Sequence, residues 1–268
     1  MAGLLNALVS LLLLVTGASC FVVPGDGSRT RNFSVLYEGL DDDVEIAPPS
    51  SSRVERLKRD MLEMGASFDR GFGASPRARE KAKQIISDLE SENQEMNAAR
   101  HISGNPSTND EASPLTGRWR LIWTTATDVL GLGASPIATV GAIYQFFDPP
   151  IVTNVIDFLP RIQNLLPPPL VQNSMPRAQV QTRASPREGM PNRVGLDFER
   201  VELKPVELLG QDVGNFLPPF GFDLPKLFEV PDDVGYFDVT FLDDDFLVIQ
   251  QNAPGGLFVL ARVEDSGP

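Results

Sequence analysis

The segment that decides the fold is TGRWRLIWTT, Thr116–Thr125. Apolar and polar side chains alternate along it, so an extended chain would present them on opposite faces. The apolar set is Trp119, Leu121 and Trp123, and the polar set is Arg118, Arg120 and Thr124. This two-residue period predicts a half-buried β-strand that carries a large aromatic surface into a core.

Seven more strands are predicted after this one, so that the β region covers 115–264. They are Thr139–Phe147, Ile151–Phe158, Arg177–Ala184, Arg193–Leu203, Gly235–Leu242, Phe246–Gln250 and Gly256–Val263. Turn-like DDD and QNAPG segments join the last three. Eight successive strands predict a mainly β fold, a closed up-and-down antiparallel β-barrel whose interior holds side chains or one small ligand. An open sandwich is the structural alternative.

The region before the strands, 53–100, is predicted to be helical. Apolar residues recur at helical spacing from Val54 onward. A second helix is predicted from Pro76 to about Asn93, because Ser75 is a good N-cap and proline suits the first helical turn. We therefore expect a helical segment that precedes the barrel.

The first 20 residues have the pattern of a signal peptide. Their apolar run is too short to cross a bilayer, which needs about 20 apolar residues, and it ends in the small residues Ala18 and Cys20. Cys20 is the chain's only cysteine, so cleavage would leave no disulfide, thiol nucleophile or cysteine-ligated zinc. A bacterial lipobox is disfavoured because Gly17 stands where that motif has Leu or Val.

Residues 21–52 are predicted to be a transit-like presequence and linker. They begin with Phe21, continue through the Arg- and Ser-bearing stretch Gly25–Ser34, and end in an acidic and Pro/Ser-rich segment. A signal peptide followed by such a stretch resembles the bipartite presequences of algae whose plastids arose by secondary endosymbiosis, in which Phe directly follows the signal. The N-terminus therefore predicts import into a plastid of that origin.

The charge balance restricts the partners of the protein. The 36 acidic residues exceed the 23 Lys and Arg residues and give a net charge of −13 at pH 7. Nucleic acid is excluded as a partner because its binding depends on Lys and Arg at phosphates. Adhesion to anionic lipid through bulk charge is disfavoured as well, whereas contact with uncharged lipid remains open.

No complete catalytic constellation is visible, and the sequence predicts no enzyme, no metal and no cofactor. His101 is the only histidine, so a nucleophile–histidine–acid set has one possible base. The run Asp243–Asp245 is predicted to be a solvated hairpin turn, because consecutive acids point apart and lack the spacing of a calcium loop. An inward acid among Asp197, Glu199 and Glu202 is the better catalytic candidate.

The longer pattern resembles one known family. The pair Gly117-x-Trp119 is similar to the motif that opens the first strand of lipocalins. From about Arg53 to Val263 the chain resembles the plastid lipid-associated protein (PAP)/fibrillin family. The segments that carry the resemblance are the turn Arg70–Ala74, the helix Ile85–Glu90 with Asn93, the strand Gly117–Thr124, Val140–Gln145 with Val152 and Asn154, and the C-terminal Gly235–Leu260.

Three positions depart from the family pattern. Trp123 stands where the family usually has Tyr, and Val248 and Gln251 stand at or near two usual arginines. If those arginines read a charged group or close the barrel on Trp119 in the family, this protein does so differently. Arg262 is the candidate for that packing here.

The resemblance implies a lipocalin-like protein that binds, stores or organises hydrophobic prenyl lipids, such as a carotenoid or a quinone, at thylakoids or plastoglobules. One alternative is a barrel enzyme or accessory protein of isoprenoid or quinone metabolism. The other alternative is a structural coat of lipid droplets that holds no ligand in its barrel. The oligomeric state stays open.

Two groups of residues are predicted to contact lipid. The ligand-binding group consists of aromatic residues expected to point into the barrel: Trp119, Trp123, Tyr144, Phe198, Phe237 and Phe241. Alternatively, these side chains fill the core and leave no cavity. The membrane-contact group lies in Pro-rich segments that are predicted to be loops: Phe216, Phe220, Phe222, Leu227 and Phe228. Alternatively, those loops fold back as a lid.

Overall fold

The structure, a computed structural model, describes residues 53–104, 112–136, 138–161, 175–208, 211–213, 218–223, 235–252 and 255–264. The presequence predictions for 1–52 lie outside these residues. So do three membrane-contact candidates, Phe216, Leu227 and Phe228. Within the described ranges, no helix combines the length and the apolar character needed to cross a bilayer.

Three α-helices, a short 3₁₀ helix (Asp69–Gly71) and ten strands lie in the described part of the chain. The helices are α1 (Arg53–Ser67), α2 (Pro76–Ser91) and α3 (Thr127–Leu132). The strands are β1 (Gly117–Thr124), β2 (Ala138–Asp148), β3 (Ile151–Pro160), β4 (Met175–Arg187), β5 (Met190–Leu208), β6 (Gln211–Asp212), β7 (Phe220–Asp223), β8 (Tyr236–Leu242), β9 (Phe246–Gln251) and β10 (Gly256–Val263).

Eight of these strands close into an antiparallel barrel. Their order around the ring is β1–β2–β3–β4–β5–β8–β9–β10, and β10 pairs with β1 to complete it. The short strands β6 and β7 also pair with β5 but lie outside this ring. Each barrel strand corresponds to one predicted strand, so the predicted up-and-down barrel is confirmed and the open sandwich is not the fold.

Helices α1 and α2 cover the outside of the barrel. Their apolar faces bury Met61, Ile86 and Leu89 against outward side chains of β1, β8, β9 and β10. Helix α2 begins as predicted, because the Ser75 side chain accepts a hydrogen bond from the Ala78 N–H at 3.3 Å. This packing gives the barrel wall two hydrophobic sides along those four strands, one facing the barrel interior and one facing the helices.

A β-bulge in β1 corrects the prediction for Trp123. The pairing of β1 with β10 shifts between Leu121 and Trp123, so Ile122 is an additional residue. Trp119 and Leu121 consequently pack in the interior cluster, while Trp123 packs in the cluster under the helices. The prediction that Trp123 shares a face with these two residues is wrong, because one inserted residue reverses the alternation of a strand.

A second bulge has the same effect in β8. The pairing of β8 with β9 shifts between Val239 and Phe241. Phe237 and Val239 belong to the interior cluster, and Phe241 packs under the helices. The expectation that Phe241 points into the barrel is therefore wrong for the same physical reason.

Candidate functional site

A cavity of about 90 Å³ lies inside the barrel. Most of its wall consists of aliphatic and aromatic side chains: Leu121, Val129, Ile143, Ile156, Val180, Leu196, Phe198, Phe237, Ile249, Phe258 and Leu260. Pockets that bury a whole drug-sized ligand measure roughly 300–1,000 Å³. The cavity has the size and chemistry to hold one apolar end of a long molecule rather than all of it.

Phe198 and Phe237 are the two aromatic candidates whose side chains reach this cavity. Phe198 is half-buried, which places it between the cavity and the surface. Phe237 is buried, and its ring meets the Phe147 ring edge-on with the centroids 6.3 Å apart. The edge-on contact with Phe147 stabilises the position of the Phe237 ring in the cavity wall.

Tyr144 borders the cavity, but its ring belongs to the other face of β2. The Tyr144 ring lies 5.9 Å from the Phe146 ring, two residues along the strand. Gln145 and Phe147 occupy the alternate positions and are buried, so they face the interior. The alternation of β2 therefore directs the Tyr144 ring away from the barrel interior.

Trp119 closes the barrel at the end where β1 begins. It is fully buried, does not line the cavity, and donates a hydrogen bond from Nε1 to the Leu115 carbonyl oxygen at 2.9 Å. The Arg262 guanidinium lies over its ring, 4.2 Å from the centroid. The hypothesis that Arg262 packs on this tryptophan is thus confirmed.

The two residues of β9 that depart from the family pattern lie on opposite faces of the barrel wall. Val248 is fully buried under the helices, together with Trp123 and Phe241. Gln251 lines the cavity. An apolar residue at 248 fits the contact with α1 and α2, where an arginine would have to bury its charge.

Sequence reasoning missed the polar side chains of the cavity. Asp128, Gln145, Asn154 and Gln251 all line it. Gln145 and Asn154 lie directly opposite each other in the β2–β3 ladder. The signal was present for Gln145, since it has the same strand parity as buried Phe147 and the alternation of β2 therefore turns it inward.

Asn154 carries a buried donor. Its side-chain nitrogen Nδ2 is inaccessible to solvent and has no hydrogen-bond partner in the part of the protein that the structure describes. Buried polar groups nearly always have a partner. An unsatisfied donor in the wall of an apolar cavity marks a position where a hydrogen-bond acceptor would be stabilised.

Asp128 places a carboxyl group at the cavity near the start of α3, just beyond the end of β1. Burial raises the pKa of Asp128, although the Val129 N–H donates to its Oδ1 at 3.0 Å. The raised pKa reflects surroundings that disfavour negative charge. This end of the cavity therefore favours neutral groups over anions.

The predicted catalytic acids of β5 do not reach the cavity. Glu199 pairs with Arg183 and Glu202 pairs with Arg200, at 2.6 and 2.5 Å. Asp197 is exposed. None of these three acids lines the cavity, so the expectation of an inward acid among them is wrong. They lie on the strand face opposite Leu196 and Phe198, where water and arginine stabilise their charge.

The acidic run between β8 and β9 forms the predicted hairpin turn, and it also holds α1. The Lys58 ammonium lies 2.6 Å from the Asp243 carboxylate and 2.5 Å from the Asp245 carboxylate. Burial opposes the charged form, but these hydrogen bonds outweigh it and raise the pKa of Lys58. Among the described residues, no three His, Cys, Asp or Glu side chains are grouped so that they could hold a metal ion.

One membrane-contact candidate is visible as a side chain. Phe220 lies on β7, opposite Leu203, and is 64% exposed. The prediction that Phe220 and Phe222 lie in a loop is wrong, because the backbone of this segment pairs with β5. For Phe222 the structure describes only the backbone, which pairs with Val201. A phenyl ring so exposed to water is free to contact a lipid surface.

Comparisons with known proteins agree with this architecture. The family model PAP_fibrillin matches residues 55–261. The chain is 27% identical over 254 residues to Plastid lipid-associated protein 1, chloroplastic, of Brassica campestris, in an alignment that covers 82% of this chain and 70% of the relative. No solved structure gives a significant match.

Proposed function

Because the chain belongs to the PAP/fibrillin family, we propose that it is a plastid lipid-associated protein whose barrel holds one end of a hydrophobic prenyl lipid, such as a carotenoid or a quinone. The apolar cavity inside the barrel is the observation that carries this proposal. An apolar chain end that leaves water for such a cavity gains free energy in proportion to the area buried.

The proposed place of action is the thylakoid or plastoglobule surface of a plastid. The Brassica relative is named as a chloroplastic protein, and residues 1–52 have the composition of a bipartite presequence ahead of the helical segment and the barrel. Both features favour a chain that is imported and then meets lipid.

Import is tested by fusing residues 1–52 to a fluorescent protein in an alga with secondary plastids. The wild-type fusion should reach the plastid, and Phe21→Ala should hold it outside the inner envelopes. Phe33→Ala is the matched control, since it removes the same ring later in the presequence. Equal import of both variants would contradict the role of Phe21.

Lipid binding is tested by gentle purification from plastids, extraction with organic solvent, and quantification of lipid per protein by mass spectrometry. We expect one prenyl lipid in near-stoichiometric amount. Val180→Phe, which enlarges a cavity-lining side chain, should displace it. Gln179→Phe, one residue away on the opposite strand face, should not. Circular dichroism confirms that both variants are folded.

Variable bulk membrane lipid in all three proteins would overturn the barrel-ligand proposal and favour the coat function. Phe220 is the specific observation that supports this second candidate, because its exposed ring can insert into a lipid surface. Flotation with lipid droplets measures the coat function directly. The Phe220→Ser variant should float less than the wild-type protein if the surface contact is real.

A further inference from the structure

The cavity is apolar almost throughout, yet it contains one buried donor that nothing in the described structure satisfies. The Asn154 Nδ2 nitrogen lies on β3 between Gln145 of β2 and Val180 of β4 in the sheet ladder. Leucine or valine would complete this wall without leaving an amide unpaired. The fold alone therefore gives no reason for an amide at this position.

The missing partner of Asn154 must be a hydrogen-bond acceptor. An amide nitrogen donates and cannot accept, so an oxygen atom with free lone pairs is the group that would satisfy it. A pure hydrocarbon end would fill the same space and leave the donor unpaired. Gln145, directly opposite, adds a second amide to the same side of the cavity.

The acceptor must also be neutral. No described residue that lines the cavity is Lys, Arg or His, and the one charged residue there is the acid Asp128. An anionic head group, such as a carboxylate or a diphosphate, would lose its hydration and find no cation to pair with. Asp128 would repel it as well.

We propose that the cavity selects neutral prenyl lipids whose buried end carries a carbonyl oxygen, and that Asn154 Nδ2 donates a hydrogen bond to that oxygen. This inference rests on the proposed function and narrows its ligand class to prenyl ketones and quinones, in preference to hydrocarbon carotenes and to lipid acids. The apolar remainder of the ligand continues past Phe198 towards the surface.

Three matched probes test the selection on protein purified from the plastid and stripped of lipid. They are a short isoprenoid ketone such as geranylacetone, the hydrocarbon in which a methylene replaces its carbonyl, and an isoprenoid carboxylic acid of the same length. Calorimetric titration should show the ketone binding about tenfold more tightly than the hydrocarbon, equivalent to about 1.4 kcal/mol. The acid at pH 7 should bind more weakly than the ketone.

Asn154→Leu is the diagnostic variant, because leucine has a similar volume and no donor. It should bind the hydrocarbon at least as well as the wild-type protein and lose the preference for the ketone. Thr153→Val, which removes a polar group from the opposite face of the same strand, should keep the preference. The carbonyl stretching frequency of the bound ketone should fall in the wild-type protein and return towards its value in hydrocarbon solvent in Asn154→Leu.

The outcomes separate the two proposals. Equal affinity of the wild-type protein for ketone and hydrocarbon, or tighter binding of the acid, would overturn the selection while leaving lipid binding in the barrel intact. Failure of all three probes to bind would overturn the proposed function and the selection together. The ratio of the ketone affinity to the hydrocarbon affinity, measured on the wild-type protein, tests the selection even if Asn154→Leu does not fold.

Discussion

The guanidinium carbon of Arg262 lies 4.2 Å from the centroid of the Trp119 ring, so a side chain of the last strand, β10, covers the tryptophan of the first strand, β1. The same side chain donates to the Thr116 carbonyl oxygen at 2.7 Å. Gly117 makes this approach possible, because a Cβ atom there would lie 2.6 Å from an Arg262 nitrogen. The Gly-x-Trp pair and Arg262 therefore form one closing unit at this end of the barrel.

Replacement of Arg262 by Met should lower the free energy of unfolding by about 1–3 kcal/mol, because it removes a cation–π contact and hydrogen bonds to three backbone carbonyls. Denaturant unfolding followed by circular dichroism measures this. Arg120→Met is the matched control, since Arg120 lies on β1, the strand next to β10, and its side chain is exposed to solvent. Equal losses in the two variants would show that the contact with Trp119 contributes nothing.

The turn between α1 and α2 offers a paired test of two glycines. Gly71 has φ +101°, and a Cβ atom there would lie 2.5 Å from the Thr124 carbonyl oxygen. We expect Gly71→Ala to cost about 2 kcal/mol or more in stability. Gly73 has ordinary space, with the nearest atom, the Phe68 carbonyl oxygen, at 3.6 Å. Gly73→Ala should change stability by less than about 1 kcal/mol.

Thermal and denaturant unfolding of both glycine variants provide the measurement. Similar stability of the two variants would contradict the close approach of this turn to the end of β1. The test also checks whether the helices are held against the barrel in solution, because the distance from Gly71 to Thr124 depends on that contact.

Two phenylalanines should separate ligand binding from stability. Phe241→Ala should cost about 3–5 kcal/mol, since the ring is buried under the helices, and it should leave the lipid content of the folded protein unchanged. Phe198→Ala, at the half-buried wall of the cavity, should reduce lipid affinity by about 1 kcal/mol, roughly fivefold. Lipid extraction and unfolding measurements on both variants check this, and the opposite assignment of the two effects would contradict the bulge in β8.

Lys58 should make stability depend on pH through the β8–β9 turn. Partial burial raises the pKa of Asp245, but the hydrogen bond from Lys58 outweighs this and lowers it below the ordinary value of 3.8. A carboxyl with a lowered pKa contributes stability above its unfolded pKa, and the contribution is lost as the pH falls through the folded pKa. We expect Lys58→Met to cost about 1–3 kcal/mol at pH 7, and the difference from wild type to narrow below about pH 4.

Unfolding curves at several pH values measure this difference. Lys83→Met, which removes an exposed lysine of α2, is the control and should show a small effect at every pH. A difference between Lys58→Met and wild type that stays constant from pH 7 to pH 3 would contradict the proposed pairing.

The eight barrel strands, their order and the start of α2 were predictable, because each rests on short-range properties of the chain, whereas β6, β7 and α3 were not predicted. The alternation in Thr116–Thr125 and the turn residues between later strands determine where strands begin and end. Ser75 with Pro76 determines where α2 begins. These signals act within a few residues and need no knowledge of the partners across the fold.

The site was less predictable because it depends on which side of a strand faces inward. Periodicity alone placed Trp123 and Phe241 in the barrel, and only the pairing with β9 and β10 reveals the two bulges that turn them outward. A bulge has no requirement for a particular side chain, since it is an adjustment of backbone hydrogen bonds between two strands. Gln145 and Asn154 become a pair only when β2 and β3 are in register.

The sequence by itself determined that two helices are followed along the chain by an eight-stranded barrel. The period of apolar residues and the local capping and turn residues are enough for this, because each signal involves residues close together in sequence. The tertiary structure decided which aromatic residues face the cavity, that Arg262 closes the barrel on Trp119, and that Asn154 presents to an apolar space a donor with no partner among the described residues. Those properties depend on strand register and on contacts between residues far apart in sequence, which local pattern does not encode.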